Sequence, residues 1–429
     1  MEFNEQLIYT IPLYLGPLIF FALVDFFRKT KRYEVNESIT NASIALGNLG
    51  FSFVILIGVM FIYKHIYTNY ALFTWDQTSI WTYVLAFVLY DFCFYWNHRF
   101  HHMIGIFWAD HLVHHSAETF NFGVAIRNSY FLELTMWMTF AMVAFMGISF
   151  EVFLTVSYIE MTWAFLIHTK SFKHTPILDK FINTPSLHRV HHARSGKYID
   201  KNFGGILVIW DQLFGTYQKE LADKPVTFGI GESFKSFSPV VLNVQYLAVI
   251  WRKIKKSRNP IEVFQSIFFS PGWIPKHAKP SDIFDAKALQ PSKYFVPNNP
   301  SVAPMAKIAS VLRFGFALVV FIGLMWFYAD LTTTQNVILS VLFLWLCHYI
   351  GIIFDGKKIG ALTESFTQLL IWGFAVSAYL QPSIEPFLIN NFLAAGIFSA
   401  GSLAIYAMTN IGWQPQKDDN TMTDKPATA

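Results

Sequence analysis

Residues 80–115, which read IWTYVLAFVLYDFCFYWNHRFHHMIGIFWADHLVHH, contain the pattern that decides the fold: one unbroken apolar run that leads into two groups of histidines. The run Ile80–Trp96 is nearly long enough to cross a bilayer core about 30 Å thick, because a helix rises about 1.5 Å per residue. It lacks the alternation of apolar and polar residues that marks a membrane β-strand. The stretch therefore predicts a membrane helix that carries histidines at its end.

The rest of the chain has the same apolar character. Of its 429 residues, 54% are hydrophobic and only 14% are charged, and the mean hydropathy is +0.38. Soluble domains carry about 25% charged residues, so this composition excludes a disordered chain and an ordinary soluble enzyme. The net charge of +4 is too small to predict a nucleic acid partner. The two cysteines, Cys93 and Cys347, lie in separate apolar runs and predict no disulfide framework.

Nine apolar stretches are long enough to be candidates for membrane spans. They are Ile8–Phe27, Ala42–Tyr63, Ile80–Trp96, Tyr130–Phe150, Val152–Ile167, Ile308–Ala329, Val337–Phe354, Phe366–Leu380 and Phe387–Met408. We therefore expect an all-α fold, namely a polytopic, multi-pass integral membrane protein with about nine transmembrane helices.

Two basic clusters predict the orientation in the membrane, because lysine and arginine collect in cytoplasmic loops. Residues 28–32, RKTKR, follow the first predicted span, and residues 252–258, RKIKKSR, follow the fifth. An even number of predicted spans separates the two clusters, so both lie on the same side. The histidine-rich loops follow the third and fifth spans. We therefore expect the histidines, and any active site that they form, to face the cytoplasm.

Eleven of the fourteen histidines lie between positions 98 and 192. Most of them form three clusters, which read HRFHH at 98–102, HLVHH at 111–115 and HRVHH at 188–192. Residues three and four apart share one face of a helix, so each cluster presents several imidazoles in one direction. Neutral imidazole is a ligand for iron, zinc, copper and nickel. The clusters predict a metal centre large enough for two ions, and exposed, unpaired loop histidines are the alternative.

The spacing of these histidines resembles the fatty acid hydroxylase and sterol desaturase superfamily of membrane di-iron oxygenases. Asp91, seven residues before His98, also matches the opening block of that superfamily. Three later segments resemble its alkylglycerol monooxygenase branch, namely NTPS at 183–186, YIDKNFGG at 198–205 and WDQLFGTY at 210–217. The resemblance covers most of the chain.

The resemblance implies two iron ions held by nine histidines. Eight of these ligands belong to the three clusters, and the ninth follows the fifth predicted span. The implied ligands are His98, His102, His111, His114, His115, His168, His188, His191 and His192. The histidines outside this set are His65, His101, His174, His277 and His348. Glu160, two helical turns before His168, is expected either to orient a ligand or to pair with a neighbouring helix.

The same resemblance implies O2-dependent hydroxylation of an ether lipid, an alkylglycerol, next to the ether oxygen, which releases a fatty aldehyde. Tetrahydrobiopterin is the reductant in that branch. The sequence contains no dinucleotide or haem motif, so electrons must arrive from another molecule. One alternative is a hydroxylase or desaturase of another membrane lipid (fatty acyl, sterol or aminolipid) with a ferredoxin or cytochrome-type donor. A more distant alternative is a zinc-dependent membrane hydrolase, although the clusters contain no H-E-x-x-H.

Composition and resemblance together divide the chain into five segments. They are N-terminal transmembrane helices at 1–84, a fatty acid hydroxylase-type di-iron domain at 85–219, a cytosolic connector at 220–305, C-terminal transmembrane helices at 306–409 and a disordered tail at 410–429. Frequent prolines argue against long helices in the second half of the connector. The C-terminal helices are expected to carry little ionisable chemistry.

Overall fold

The computed structural model describes residues 3–30, 32–172, 174–194, 196–230, 236–284, 300–380 and 391–411. The predicted all-α class is confirmed over these residues, whose one β feature is an isolated bridge between Ile182 and Leu207. Two short 3-10 turns lie at Leu178–Lys180 and Gly196–Tyr198. The α-helices are α1 (Phe3–Arg28), α2 (Val35–Tyr70), α3 (Ile80–Met103), α4 (Gly105–His115), α5 (Phe122–Ala125), α6 (Leu132–Phe145), α7 (Phe150–Leu166), α8 (Pro185–His191), α9 (Ile209–Leu213), α10 (Pro239–Lys256), α11 (Pro260–Phe268), α12 (Pro280–Ile283), α13 (Pro304–Phe327), α14 (Thr333–Phe354), α15 (Ala361–Leu380) and α16 (Asn391–Asn410).

Long apolar helices support an integral membrane protein. Three described helices are long and apolar enough to cross a bilayer, namely Pro304–Phe327, Thr333–Phe354 and Phe392–Asn410. Helix α2 also qualifies if its two halves, which meet at a bend of 45°, form one span. Two of the other predicted spans lie on shorter helices, α6 with 14 residues and α7 with 17. The total of about nine spans therefore stays a prediction.

A sharp turn ends the fourth predicted span, Tyr130–Phe150, earlier than its apolar composition indicated. Helix α6 ends at Phe145, and Gly147 follows with a positive φ of 88°. A Cβ atom on Gly147 would lie only 1.9 Å from the carbonyl oxygen of Phe73. Only glycine accepts both the backbone angle and this close approach without strain. The chain turns there and enters α7, where the Ser149 side chain caps the first helical turn.

The contacts divide the chain into two compact units. The first contains Met1–Glu34, Asn48–Phe234 and Asn243–Phe295, and so includes all three histidine clusters. The second contains Val35–Gly47, Lys235–Leu242 and Val296–Ala429.

Helix α3 joins the apolar core of the first unit to the histidines. Its first part packs against α6 and α7 through buried residues that include Ala86, Tyr90 and Phe140. The same continuous helix carries His98 and His102 near its C-terminal end. Because a helix is stiff over this length, the packing of its apolar part also fixes the direction of its histidine-bearing end.

Helix α4 follows α3 after a tight corner. Gly105 begins α4, and its backbone N–H donates to the carbonyl oxygen of Phe269 at 2.9 Å. A Cβ atom on Gly105 would lie 3.0 Å from the carbonyl oxygen of Ile267, so glycine allows the C-terminal end of α11 to lie close. The other face of α4 packs through Leu112 against buried residues of α10, including Tyr246. This packing fixes the rotation of α4 about its axis.

Within the predicted connector, the described residues between 269 and 284 form little helix, whereas those between 239 and 268 are mostly helical. The connector contains α10 and α11, and beyond them only the four-residue α12 among the described residues up to 284. The prolines of this segment agree with that change. The predicted tail falls largely on residues 412–429, which lie outside the described residues.

The second unit contains α13, α14, α15 and α16, which pack around buried apolar residues such as Ala317 and Leu346. The expectation that these helices carry little ionisable chemistry was wrong. Arg313 is fully buried and donates to Glu364 Oε2 at 3.2 Å. Its guanidinium also lies over the ring of Tyr349, 3.7 Å from the ring centre. An average of hydropathy over a span hides single charged residues that pair with another helix.

Candidate metal centre

Three helices and one helix end bring the clustered histidines together. Helix α3 carries His98 and His102, and α4 carries the three histidines of the second cluster. Helix α8 carries His188 and His191, and His192 directly follows it. His168 follows the end of α7. All nine histidines predicted from the resemblance meet in this region, where eight are buried and His111 is partly buried.

Five of these side chains form the first histidine group, in which the ligand nitrogens lie within 4.8 Å of one another. The members are His98, His102, His111, His115 and His191. His111 Nε2 lies 3.0 Å from the Nε2 atoms of both His98 and His115. His115 Nε2 also lies 3.1 Å from His191 Nε2 and 3.2 Å from His102 Nε2. The five imidazoles therefore point at a common centre.

The remaining four form the second histidine group, within the same 4.8 Å limit. Its members are His114, His168, His188 and His192. His168 Nε2 lies 3.0 Å from His188 Nε2 and 3.3 Å from His114 Nε2. His188 and His192 are one turn apart, with their Nε2 atoms at 3.2 Å. The two groups adjoin, because the stacked rings of His115 and His192 have centroids 4.4 Å apart.

Backbone carbonyl oxygens fix the protonation pattern of several of these rings. His98 Nδ1 lies 3.0 Å from the carbonyl oxygen of Phe203, and His191 Nδ1 lies 2.9 Å from that of Lys201. His168 Nδ1 lies 2.6 Å from the carbonyl oxygen of Ala164. A carbonyl oxygen only accepts, so each Nδ1 carries the proton and donates. The lone pair is then on Nε2, the atom that points into the group.

The distances fit a shared cation in each group. Nitrogens about 2.1 Å from one ion lie about 3.0 Å apart at right angles and about 3.4 Å apart in a tetrahedron. The neighbouring Nε2 atoms of both groups lie 3.0–3.3 Å apart. Converging lone pairs at this separation repel each other unless a cation lies between them. The donor set therefore suits a metal ion that accepts neutral nitrogen ligands.

Burial keeps the clustered imidazoles in the form that binds metal. Burial lowers the pKa of His191 to about 3 and that of His168 to about 4. Burial, followed by the repulsion between neighbouring imidazoles, also lowers the pKa of His111 and His115 well below the usual range. These rings are therefore neutral at neutral pH, and a neutral ring offers its lone pair to a metal.

One carboxylate holds the loop that supplies two of the accepting carbonyls. Asp211 accepts from the backbone N–H groups of Phe203 and Gly204, each at 2.8 Å. It also accepts from the hydroxyl of Thr216 at 2.7 Å. These bonds fix the irregular segment that aims its carbonyls at His98 and His191. The sequence analysis assigned no role to Asp211. The only indication of its importance was its place in the segment 210–217, which resembles the family.

Asp91, whose position matched the superfamily pattern, supports the next part of the same loop. It accepts from the backbone N–H of Ile206 and from the indole N–H of Trp210, both at 2.7 Å. Glu160 lies beside Asp91 of α3, because a Cβ atom on Gly205 would come within 2.6 Å of Glu160 Oε2 and 3.0 Å of Asp91 Oδ1. Of the two expectations for Glu160, the structure favours pairing with a neighbouring helix.

The other described histidines lie outside both groups and have different partners. His101 points away from its cluster, with Nδ1 2.8 Å from the carbonyl oxygen of Asn97 and Nε2 2.8 Å from the hydroxyl of Thr135. His174 Nδ1 lies 2.5 Å from Asp179 Oδ2. His65, His277 and His348 lie outside both groups as well.

Comparison with known proteins gives one family match and several related proteins. A family profile described as Fatty acid hydroxylase matches residues 83–216. Alkylglycerol monooxygenase of Homo sapiens is 31% identical over 325 residues, which are 75% of this chain and 71% of the human protein. The protein of that name in Xenopus tropicalis is 31% identical over 340 residues, 79% of this chain and 75% of that protein. Ornithine lipid hydroxylase of Rhizobium tropici is 29% identical over 157 residues, 36% of this chain and 47% of that protein. No solved structure matches the chain.

The stretch that matches the profile contains both histidine groups. The human and Xenopus relatives extend the likeness over about three quarters of the chain. By their names, these relatives are oxidoreductases that act on lipids. The resemblance predicted from the histidine spacing is confirmed, and the chain belongs to the fatty acid hydroxylase superfamily and, within it, to the alkylglycerol monooxygenase family.

Proposed function

We propose that this protein is an O2-dependent, iron-containing lipid monooxygenase that acts on an ether lipid. The observation that carries the proposal is the convergence of two all-histidine groups in a chain of the alkylglycerol monooxygenase family. In an alkylglycerol the enzyme would hydroxylate the carbon next to the ether oxygen. The resulting hemiacetal separates into glycerol and a fatty aldehyde.

We propose two iron ions, one in each histidine group. Neither group contains a thiolate or a carboxylate ligand among the described residues, and imidazole suits iron well. When bound, iron supplies the redox chemistry that activates O2. The protein supplies neutral Nε2 donors, holds each ring through its Nδ1 bond and keeps the rings buried. Zinc hydrolysis is less favoured, because it needs an open water position and a nearby general base.

The reaction must also receive two electrons and two protons. One oxygen atom of O2 enters the substrate C–H bond, and the other leaves as water. We propose tetrahydrobiopterin as the two-electron reductant, in line with the resemblance to the alkylglycerol branch. A ferredoxin or cytochrome-type donor is the alternative.

We further propose a multi-pass topology of about nine spans, with both histidine groups at the cytoplasmic face. The basic clusters at 28–32 and 252–258 support this orientation. We retain the five predicted segments, with the hydroxylase-type domain at 85–219, the connector on the cytosolic side and a disordered tail. A lipid substrate would then reach the metals from the membrane without leaving it.

A second candidate function is hydroxylation of another membrane lipid. The ornithine lipid hydroxylase of Rhizobium tropici supports it, because 157 residues of this chain match an enzyme named for an aminolipid substrate. The match covers a smaller part of both proteins than the alkylglycerol monooxygenase relatives do. We therefore favour the ether lipid.

Turnover of a defined lipid tests the proposed function. Purified protein in lipid nanodiscs, loaded with ferrous iron, is supplied with O2, a tetrahydropterin and 1-O-hexadecylglycerol, and hexadecanal is measured by mass spectrometry. We expect aldehyde release that stops without O2 or without iron. The ester-linked 1-palmitoylglycerol serves as the control and should yield no aldehyde. Metal-dependent turnover without O2 would contradict the oxygenase class, and hydroxylation of ornithine lipid without aldehyde release would favour the second candidate.

A further inference from the structure

A cavity of about 260 Å³ lies beside the second histidine group. The end of α1 and the turn after it line one side, and residues 120–121 and 169–171 line the other. The ring of Phe120 stacks on His168, with ring centroids 5.4 Å apart and planes at 24°. Phe120 also contacts His192 at 5.2 Å between ring centroids. A single aromatic ring therefore separates the cavity from two of the clustered histidines.

One end of this cavity is cationic. Its lining includes Arg28, Arg32 and Lys170 but only one carboxylate, Asp25, so the formal charge is +2. The carboxylate is already engaged by the turn, because Asp25 accepts from the backbone N–H of Arg32 at 2.9 Å and of Tyr33 at 3.1 Å. Its negative charge is thus largely compensated before any ligand arrives. The cationic end suits an anion.

The part of the lining that comes from the earlier turns of α1 is apolar and continues along that helix. Phe20, Phe21 and Val24 of α1 line it. Phe21 packs against Phe122 of the first unit, with ring centroids 5.1 Å apart, whereas Phe20 is 60% exposed on the same helix. The cavity thus joins an exposed apolar helix surface to a cationic end. A lipid with an anionic headgroup has this same division.

We propose that the cavity binds the phosphate of a lipid headgroup, so that the protein prefers phosphate-bearing ether lipids to neutral alkylglycerols. The preference in turnover rests on the proposed function, whereas the headgroup site rests on the lining residues alone. The planar guanidinium of arginine can donate two parallel hydrogen bonds to a phosphate, and the ammonium group of lysine adds a compact positive charge. Pockets for drug-sized ligands have volumes of about 300–1,000 Å³. This cavity is smaller, so it suits the headgroup alone, with the alkyl chain outside the cavity along α1.

Binding of the headgroup at this place would also position the substrate. Phosphate at the cationic end puts the glycerol beside Phe120, and the ether carbon then lies on the side of the histidines. Such orientation of the reacting carbon is a recognised source of rate enhancement. The remote phosphate would in this way select which C–H bond is hydroxylated.

Turnover of two matched lipids tests the preference. The substrates are 1-O-hexadecylglycerol and its 3-phosphate, and the variants are Arg32→Gln, Lys170→Gln and the double variant. We expect the ratio of kcat/KM, phosphate over neutral, to fall about tenfold in the double variant, as for the loss of about 1.4 kcal/mol. Lys29→Gln removes a neighbouring charge that does not line the cavity and should leave the ratio unchanged. Iron content, measured in parallel, shows that each variant keeps its metal centre.

A binding measurement keeps this test separate from the proposed reaction. Calorimetric titration of the nanodisc-embedded protein uses 1-palmitoylglycerol 3-phosphate, which has no ether bond, and inorganic phosphate. We expect the lipid phosphate to bind, the double variant to bind it about tenfold more weakly, and inorganic phosphate to bind far more weakly than the lipid. If no ether lipid is cleaved but this pattern holds, the headgroup site stands and the proposed reaction fails. The headgroup site is overturned if alkylglycerol is cleaved but the wild type and the double variant bind the lipid phosphate equally tightly. It is also overturned if inorganic phosphate binds as tightly as the lipid phosphate.

Discussion

His98 Nδ1 and the carbonyl oxygen of Phe203 lie 3.0 Å apart, although 105 positions separate the two residues along the chain. The bond fixes the proton on Nδ1 and turns the Nε2 lone pair of His98 into the first histidine group. His191 is held in the same way by the carbonyl oxygen of Lys201. One loop therefore sets the direction of proposed ligands on two different helices, as outer partners do at metal sites.

Removing a ligand should cost metal as well as activity. We expect His168→Ala and His191→Ala each to lose iron and to abolish turnover, because each deletes one imidazole from a shared group. The loss of iron affinity should exceed the roughly 10–100-fold typical of removing an outer partner. Iron per chain is measured by mass spectrometry. His277→Ala, outside both groups, is the control, and equal iron loss in all three variants would point to unfolding instead.

Loosening the carbonyl-bearing loop should weaken metal binding without removing a ligand. In Asp211→Asn, only the amide oxygen can accept, so one of the two backbone N–H groups that Asp211 now holds loses its acceptor. We expect iron affinity to fall by roughly 10–100-fold and the protein to lose about 1–3 kcal/mol of stability. Competition with a chelator measures the affinity. Asp223→Asn changes an exposed carboxylate and should alter neither quantity; a similar decrease there would refute the role of the loop.

The turn at Gly147 should tolerate no side chain. Gly147→Ala forces a Cβ atom onto the carbonyl oxygen of Phe73 and a positive φ onto alanine. We expect a loss of stability of at least about 1–3 kcal/mol. Gly272→Ala is the matched control, because a Cβ atom there has no neighbour within 4 Å. Unfolding in mixed micelles compares the two, and equal stability would mean that the turn rearranges freely.

The iron-free protein should become less stable in mild acid. Burial lowers the pKa of His168 to about 4 and of His191 to about 3, whereas unfolded histidine titrates near about 6.5. Between these values the unfolded state binds more protons, so unfolding is favoured by up to about 1.4 kcal/mol per pH unit for each such histidine. Above pH 6.5 both states are neutral and this dependence disappears.

Denaturation of the iron-free protein at several pH values measures this effect. The double variant His168→Ala, His191→Ala should show a shallower decrease in stability between pH 6.5 and pH 4 than the parent chain. A parent chain whose stability is flat over this interval would contradict the burial of neutral imidazoles.

Removing only one member of the buried ion pair between Arg313 and Glu364 should strongly lower the stability of the protein. We expect Arg313→Met to lose about 3–5 kcal/mol of stability, because Glu364 would stay buried without its partner. The double variant Arg313→Met, Glu364→Gln should lose less than the single one. Lys307→Met, on the exposed side of the same helix, is the control. Additive losses in the double variant would show that the two residues do not interact.

The sequence predicted the parts of this site that depend on residue identity. Imidazole ligands must be histidines, and their spacing of three and four residues revealed the three clusters. His168 lies alone in the sequence, so only the resemblance to the family indicated it. The carbonyls of Lys201 and Phe203 could not be predicted, because every residue has a carbonyl group and only the fold decides where it points.

For the fold, too, the sequence predicted the local features but not the contacts between distant residues. Apolar length indicated the helices, but it could not separate a helix from a turn of apolar residues, as at Gly147. The pair of Arg313 and Glu364 was missed because the residues are distant in sequence and each is diluted by apolar neighbours. Turns and ion pairs that depend on contacts between distant residues cannot be predicted from a local sequence pattern.

Helix α4 serves both histidine groups at once, with His111 and His115 in the first and His114 in the second. One residue turns an α-helix by about 100°. The insertion or deletion of one residue between Gly105 and His111 would therefore swing all three rings away together and dismantle both groups. The length of α4 should thus vary far less among related chains than its outward-facing sequence does.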